Sequence, residues 1–322
     1  MERVVDPLTK KPSALRQQSE TIGFIVMVTA LVIAPFVTYP LFVMQALCFA
    51  LFACAFNLLI GYVGLLSFGH ALYFGWASYV SAHAAKVWGL PPELAILCGT
   101  ATAAFLGLVA GSLAIRRQGI YFAMITLALA QMMYFVALRM KFTGGEDGIQ
   151  AVPRGTLFGL FDLRNDMTMY VFVLVIFLAG TLLIHRIIHS PFGEVLKAIR
   201  ENETRAISLG YKTDRYKLLA FVLSATLAGV AGSTKAILLQ IASLTDVNWP
   251  MSGEVVLMSL VGGLGTIFGP VVGSFVILAM QYKLAFMGEW VLVIQGVIFV
   301  ACVLLFRRGL IGEIAHRLRI RL

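Results

Sequence analysis

The sequence predicts an all-α fold: a polytopic transmembrane helical bundle of about eight to ten membrane segments, with glycine-broken or re-entrant helices among them. Three observations carry this. Hydrophobic residues make up 60% of the 322 and charged residues 13%, with a mean hydropathy of +0.90. A soluble domain of this size with that balance would be covered in apolar patches. The apolar residues lie in runs long enough for a helix rising about 1.5 Å per residue to cross roughly 30 Å of hydrocarbon. These runs are also too continuous for the alternating strands of a barrel. Finally, Lys and Arg gather at the ends of the runs, as positive-inside topology requires. The net charge of +9 is therefore not arranged along one face as nucleic-acid binding would need.

Candidate spans cover 21–38, 40–60, 64–86, 93–115, 119–139, 168–188, 218–240, 254–283 and 289–306. Pro35 and Pro40 bracket the first turn, Pro91 and Pro92 the second, and Arg116 with Arg117 marks a tight basic loop. Residues 1–20 are polar, carry Arg3, Lys10, Lys11 and Arg16, and lack a small-residue cleavage pattern, so a retained cytoplasmic tail is expected. Residues 21–306 are expected to form the transmembrane domain, with a cytoplasmic loop at 190–217 and a cytoplasmic tail at 307–322. Alternation from an inside N-terminus puts Arg116 and Arg117 inside and the charge-balanced loop from Arg139 to Asp166 outside. It then sends Arg307, Arg308, Arg317, Arg319 and Arg321 to the wrong side. Stretch 254–283 is longer than one span needs and is interrupted by Gly262, Gly263, Gly265, Gly269 and Pro270, so a break or re-entrant turn is expected within it. Cys48, Cys54, Cys98 and Cys302 sit in apolar runs without metal-type spacing, and no metal site is expected.

That break has a counterpart near the N-terminus. Gly61-Tyr-Val-Gly64-Leu-Leu-Ser67-Phe-Gly69-His70 and Gly262-Gly-Leu-Gly265-Thr-Ile-Phe-Gly269-Pro270 share a Gly-x-x-Gly step followed by an aromatic and a glycine. Two readings stand: an internal repeat with a translocation path between its halves, or glycines that let helices pack closely. The deep polar residues Asn57, Ser67, His70, Gln131 and Ser224 divide the same way, into path lining or interhelical hydrogen bonds worth about 1 kcal/mol each. Lys235 is expected to snorkel to the interface. Trp88, Trp249 and Trp290 are expected as interfacial anchors. No His and carboxylate cluster points to an enzyme, and Glu146 and Asp147 are read as balancing Lys141.

The charged island Ser190–Lys217 is unlike the rest. Phe192, Val195, Leu196, Ile199, Ala206 and Leu209 are interleaved with Lys197, Arg200, Glu201, Glu203 and Arg205. Pro191 suits a helix start and Gly210 a stop, so one short amphipathic surface helix is expected, of the kind that docks into a groove on a soluble partner.

The run Ala198-Ile-Arg-Glu-Asn-Glu-Thr-Arg-Ala206-Ile-Ser-Leu-Gly210-Tyr resembles the cytoplasmic loop of LivM-type permeases, the membrane subunits of branched-chain amino acid ABC importers. Tyr216–Gly232 resembles the helix that follows that loop. Asn57–Ala71, Thr143-Gly144-Gly145-Glu146-Asp147-Gly148 and Gly262–Pro270 are similar as well, in the family's order. The resemblance implies that the island helix is a coupling helix, with Glu201, Glu203, Ala206 and Gly210 as its ATPase-coupling residues. Glu203 departs from the family's Glu-Ala-Ala-x-x-x-Gly pattern, since Thr204 and Arg205 separate it from Ala206. It further implies a path along Asn57, Gly61, Gly64, Ser67, Gly69, His70, Gly262, Gly265 and Gly269, and binding-protein contact at Thr143, Gly144, Gly145 and Gly148. No Gly-x-x-x-x-Gly-Lys-Ser/Thr segment occurs, so ATP and Mg are expected on partner subunits and no cofactor on this chain. The implied partners are a second related permease, two cytoplasmic ATPase subunits, an extracytoplasmic solute-binding protein and membrane lipid, with no nucleic acid. The implied place is the bacterial inner membrane, multi-pass, with both termini cytoplasmic. A urea or short-amide permease is the alternative cargo. An ion-coupled secondary transporter would need deep titratable groups, which the sequence nearly lacks.

Overall fold

The computed structural model describes residues 14–285, 288, 290–305 and 309–317. Helices α1 (Ala14–Val37), α2 (Pro40–Tyr62), α3 (His70–Lys86), α4 (Pro92–Ala114), α5 (Ile120–Arg139) and α6 (Asp166–Ile188) come first. The island follows as α7 (Pro191–Glu201) and α8 (Glu203–Ser208). Then come α9 (Thr213–Leu239), α10 (Trp249–Gly262), α11 (Gly269–Leu284), α12 (Trp290–Leu305) and α13 (Gly309–Arg317). Of these, α2, α4, α5, α6 and α9 are each long and apolar enough to cross a membrane, and α11 and Thr21–Val37 of α1 are shorter apolar stretches. Prolines at or next to the first helical position start α2, α4, α7, α10 and α11. There the missing N–H costs nothing and the fixed φ suits the helix.

Of the long apolar helices, α2 is the one most enclosed by the rest of the chain. Nearly all of it from Val43 to Tyr62 is enclosed, by α6, α9, α10 and α11. The tightest packing in the bundle is between α9 and its neighbours α3 and α4. Along α4 the buried positions Ala95, Gly99, Ala103, Gly107 and Gly111 recur every four residues, one ladder of small residues. A Cβ on Gly107 would meet Ala225 of α9, and one on Gly229 of α9 would meet Ala103, both closer than real Cβ atoms come. On the opposite side Gly232 of α9 lies against the Phe74 carbonyl of α3. With no hydrophobic drive between helices in lipid, such backbone approach is what holds them together.

The long helices alternate in direction, and their ends separate into two zones. At the island end, Gln118 of the α4–α5 turn donates to Glu203 at 2.9 Å, and Gly309 of α13 lies against Gly263. At the far end, β1 (Ile149–Gln150) pairs antiparallel with β4 (Ile241–Ala242), and β2 (Thr156–Leu157) forms a hairpin with β3 (Phe161–Asp162). Trp88, Trp249 and Trp290 are all exposed at this far end. Stretch 254–283 is broken at its glycines, as expected. It belongs to an antiparallel hairpin, α10 and α11, turning at 263–268. The hairpin adds one reversal of direction, so α12 returns to the island end, where Gly309 opens α13. Arg317 ends α13, whereas Arg307, Arg308, Arg319 and Arg321 lie outside the described residues, as do residues 1–13.

The island also differs from expectation. Instead of one helix from Phe192 to Leu209 there are two, because Asn202 adopts an extended backbone (φ −158°) and its Oδ1 accepts from Arg205 N at 3.0 Å, capping α8. Ser190 caps α7 through Gly193 N at 3.3 Å. Gly210, at φ +89°, ends α8 with its N–H on Ile207 O at 2.9 Å.

Candidate functional site

The two glycine breaks, some 200 residues apart in sequence, meet at the island end. Asn57 in the last turns of α2 makes the join. Its Nδ2 donates to Thr266 O at 2.9 Å and its Oδ1 accepts from Gly265 N at 3.0 Å. One side chain therefore satisfies two backbone groups of the α10–α11 turn, which has no helical partners for them. Gly61 faces the same turn so closely that a Cβ would lie 2.8 Å from Gly265 N. Gly262 and Gly269 sit backbone to backbone across the turn, and Gly265 takes φ +75°. Arg200 of α7 completes the cluster by donating from Nη1 to Gly61 O. Beside the junction, Cys54, Asn57, Thr181, Ile184, Ile188 and Ile267 line a cavity of about 10 Å³, room for roughly one water.

The remaining members of the first break lie one layer deeper. Ser67 Oγ accepts from Gly69 N at 3.2 Å, and Gly69 packs on the Thr126 carbonyl of α5. His70 opens α3, fully enclosed by the rings of Phe56, Tyr73 and Phe221. Its Nε2 lies 2.9 Å from Ser224 Oγ, which in turn donates to Ala55 O at 2.5 Å. His70 and Ser224 thus pin α2, α3 and α9 together. Gly64 is the exposed member of the break, at φ +81°.

Of the expected coupling residues, Ala206 is buried under α8, while Glu201 and Gly210 are exposed. Glu203 is held from inside: Oε1 pairs with the buried Lys217 of α9 and Oε2 accepts from Gln118. Left to solvent at the end of α8 are Ile207 and, just past it, Leu209, with Arg205, Tyr211 and Lys212 beside them.

At the far end Thr143 is buried, its Oγ1 2.5 Å from Ala137 O and 2.8 Å from Met140 O. Gly144, Gly145 and Gly148 all take positive φ, and side chains on Gly144 or Gly148 would strike the carbonyls of Gly148 or Ala242. The segment is a fixed turn that presents Glu146 and Asp147 to solvent.

Lys235 does not snorkel. It forms a buried ion pair with Asp246, the side chains 8% and 1% exposed, with the Phe49 and Phe74 rings about the ammonium. Glu254 of α10, bonded to the Gln281 side chain, lies half-buried nearby. The separation of Lys235 and Asp246 by one helix end and one turn was the available signal, since it lets a chain fold back on itself.

Two glycine-broken hairpins are thus tied together beside a charged helix pair at one end of a bundle of apolar helices. The chain belongs to the family described as the branched-chain amino acid transport system permease component, whose model matches residues 40–303. It is 25% identical over 288 residues to the high-affinity branched-chain amino acid transport system permease protein LivM of Escherichia coli, covering 82% of this chain and 68% of that one. LivM of Salmonella typhimurium matches to the same extent. The ribose import permease protein RbsC of Bacillus subtilis is 28% identical over 244 residues, 69% of this chain and 70% of RbsC. No solved structure matches. The protein is a LivM-type permease, a multi-pass membrane subunit of an ABC importer rather than an enzyme.

Proposed function

We propose that this chain pairs with a second related permease to form the path for branched-chain or related amino acids. In this reading an extracytoplasmic binding protein delivers the cargo at the far end, and two ATPase subunits, holding ATP and Mg, act at the island end. The cargo follows the names of the LivM relatives. Competition by leucine, ribose and urea against labelled leucine uptake tests it, with leucine expected to compete and urea not.

The charge distribution supports a bacterial inner-membrane setting with the island end cytoplasmic. Arg116, Arg117, Arg186, Lys197, Arg200, Arg205, Lys212 and Arg215 gather there, whereas the far-end cations are matched by Glu93, Glu146, Asp147, Asp162 and Asp166. On this reading α1 and α13 place the chain's two ends on the cytoplasmic side. The exposed turn Gly144–Gly148, fixed by Thr143, is the contact for the binding protein.

The observation that carries the docking reading is the face of α8. Ile207 and Leu209 are 55% and 69% exposed on a base fixed by the Glu203–Lys217 pair. Apolar side chains so presented among charges outside the hydrocarbon suit a groove on a soluble partner. Glu201, Gly210 and Tyr211 border the face, and Glu203 and Ala206 hold it from below. Leu209→Glu is expected to leave the chain inserted, since Leu209 packs little, while ATPase subunits cease to co-purify. Undiminished co-purification contradicts the docking reading.

The expected path residues enter through the junction. Asn57, Gly61, Ser67, Gly69, His70, Gly262 and Gly269 are buried within the chain, with Gly64 and Gly265 at its edge. They shape the path by setting how the α2–α3 and α10–α11 hairpins meet, and cargo moves as that meeting changes.

A further inference from the structure

We propose that Arg200 is the strut that passes movement of α7 to both glycine-broken hairpins at once, and so couples ATP use to opening of the path. The inference rests on the docking reading and adds the residue that carries force beyond the docked helices. The last carbonyls of an α-helix lack intrahelical donors and carry the negative end of its dipole, so a cation is drawn to them. Gly61 O is such a carbonyl of α2, and the Arg200 guanidinium donates to it.

Were this all, Arg200 would be a simple helix cap. Three further observations extend its reach. Gly64, at φ +81° and without a side chain, lets the Arg200 stem lie along the first break, where a Cβ would sit 3.2 Å from Cγ. Gly265 of the second break faces the same guanidinium, a Cβ there falling 3.4 Å from Nη1. Asn57 then bonds the two breaks to each other through Gly265 N and Thr266 O. The base of the strut is firm, because Leu196 and Ile199 of α7 are buried and Gly193 packs on the Ile187 and Ile188 carbonyls that end α6. The neighbouring cation Lys197 turns back to Glu194 within α7, at 2.8 Å. Arg200 is therefore a positioning residue, and a one-element shift of α7 moves the ends of α2 and of the α10–α11 turn together.

The test uses the complete importer in proteoliposomes with its binding protein, comparing wild type, Arg200→Met and Arg200→Gln. ATPase co-purification and binding-protein-stimulated hydrolysis are expected to stay within about twofold for Arg200→Met, while uptake per ATP falls about tenfold, mid-range for a coupling free energy. Arg200→Gln, which keeps a polar end but loses the charge and the reach to Gly61 O, is expected to uncouple in the same way. Wild-type uptake per ATP in Arg200→Met overturns the strut, and so does loss of ATPase association, which would make Arg200 a docking residue. If Arg200→Met does not reach the membrane, Arg200→Gln decides: uncoupling with the ATPase still associated supports the strut and normal coupling overturns it. Failure of the docking reading shows separately, in Leu209→Glu retaining its ATPase.

Discussion

Gly273→Leu is expected to prevent the α10–α11 hairpin from closing and to leave little folded protein in the membrane. A Cβ at this position would fall under 3.0 Å from Met258 O and Gly262 N, both backbone atoms of the facing helix. A clash with the far end of a flexible side chain can be relieved by a rotamer change. A clash with backbone moves the helix. On the other side of the same contact, a side chain on Gly262 would strike Gly269 O and one on Gly269 would strike Gly263 O, so the hairpin has no slack along its length. The cost should exceed about 3 kcal/mol, the upper end for over-packing. Gly253→Ala is the control, since nothing lies within 4 Å of its Cβ position. It should hold stability or raise it by up to about 1 kcal/mol, since alanine is the better helix former. Thermal unfolding in detergent and the amount inserted in membranes measure both, and equal behaviour of the two variants would contradict the packing described here.

The second large effect is expected at Lys235. Lys235→Met leaves the Asp246 carboxylate 1% exposed and without its cation, and breaking a buried pair in this way costs about 3–5 kcal/mol. The double variant Lys235→Met/Asp246→Leu removes both charges and should recover most of the loss, because a well-packed apolar pair commonly matches a buried ionic one. The same unfolding measurement separates the outcomes. A double variant as unstable as the single one would show that the turn at Leu244–Asp246 depends on the charges themselves.

The bundle was legible because lipid leaves so few options: an apolar run long enough to cross closes its own hydrogen bonds as a helix, and prolines at 40 and 91–92 mark the starts. The limits of reading lie where one residue type serves two ends. Glycine both breaks helices and admits close neighbours, so Gly262–Pro270 pointed to an interruption without telling a re-entrant loop from a hairpin. Asn202 passes for a helical residue until its side chain is seen capping the next turn. The small-residue ladder on α4 acquires meaning once α9 is known to face it. Among the island's many charges, nothing in sequence sets Arg200 apart from Lys197 or Arg205, because its partner carbonyl at Gly61 lies 139 positions away. The convergence of the two glycine motifs was suggested by their similarity. That Asn57 would tie them together was not, since an amide in an apolar run has many possible partners.

On the proposed reading this permease moves solute by work received at α7 and α8. Reconstitution in vesicles tests it most directly, with the permease pair supplied with or without its ATPase subunits and labelled leucine as cargo. ATP-dependent accumulation that requires the ATPase subunits, and that disappears with Leu209→Glu, is the predicted result. Accumulation by this chain alone, driven by an ion gradient with no ATPase present, would contradict it.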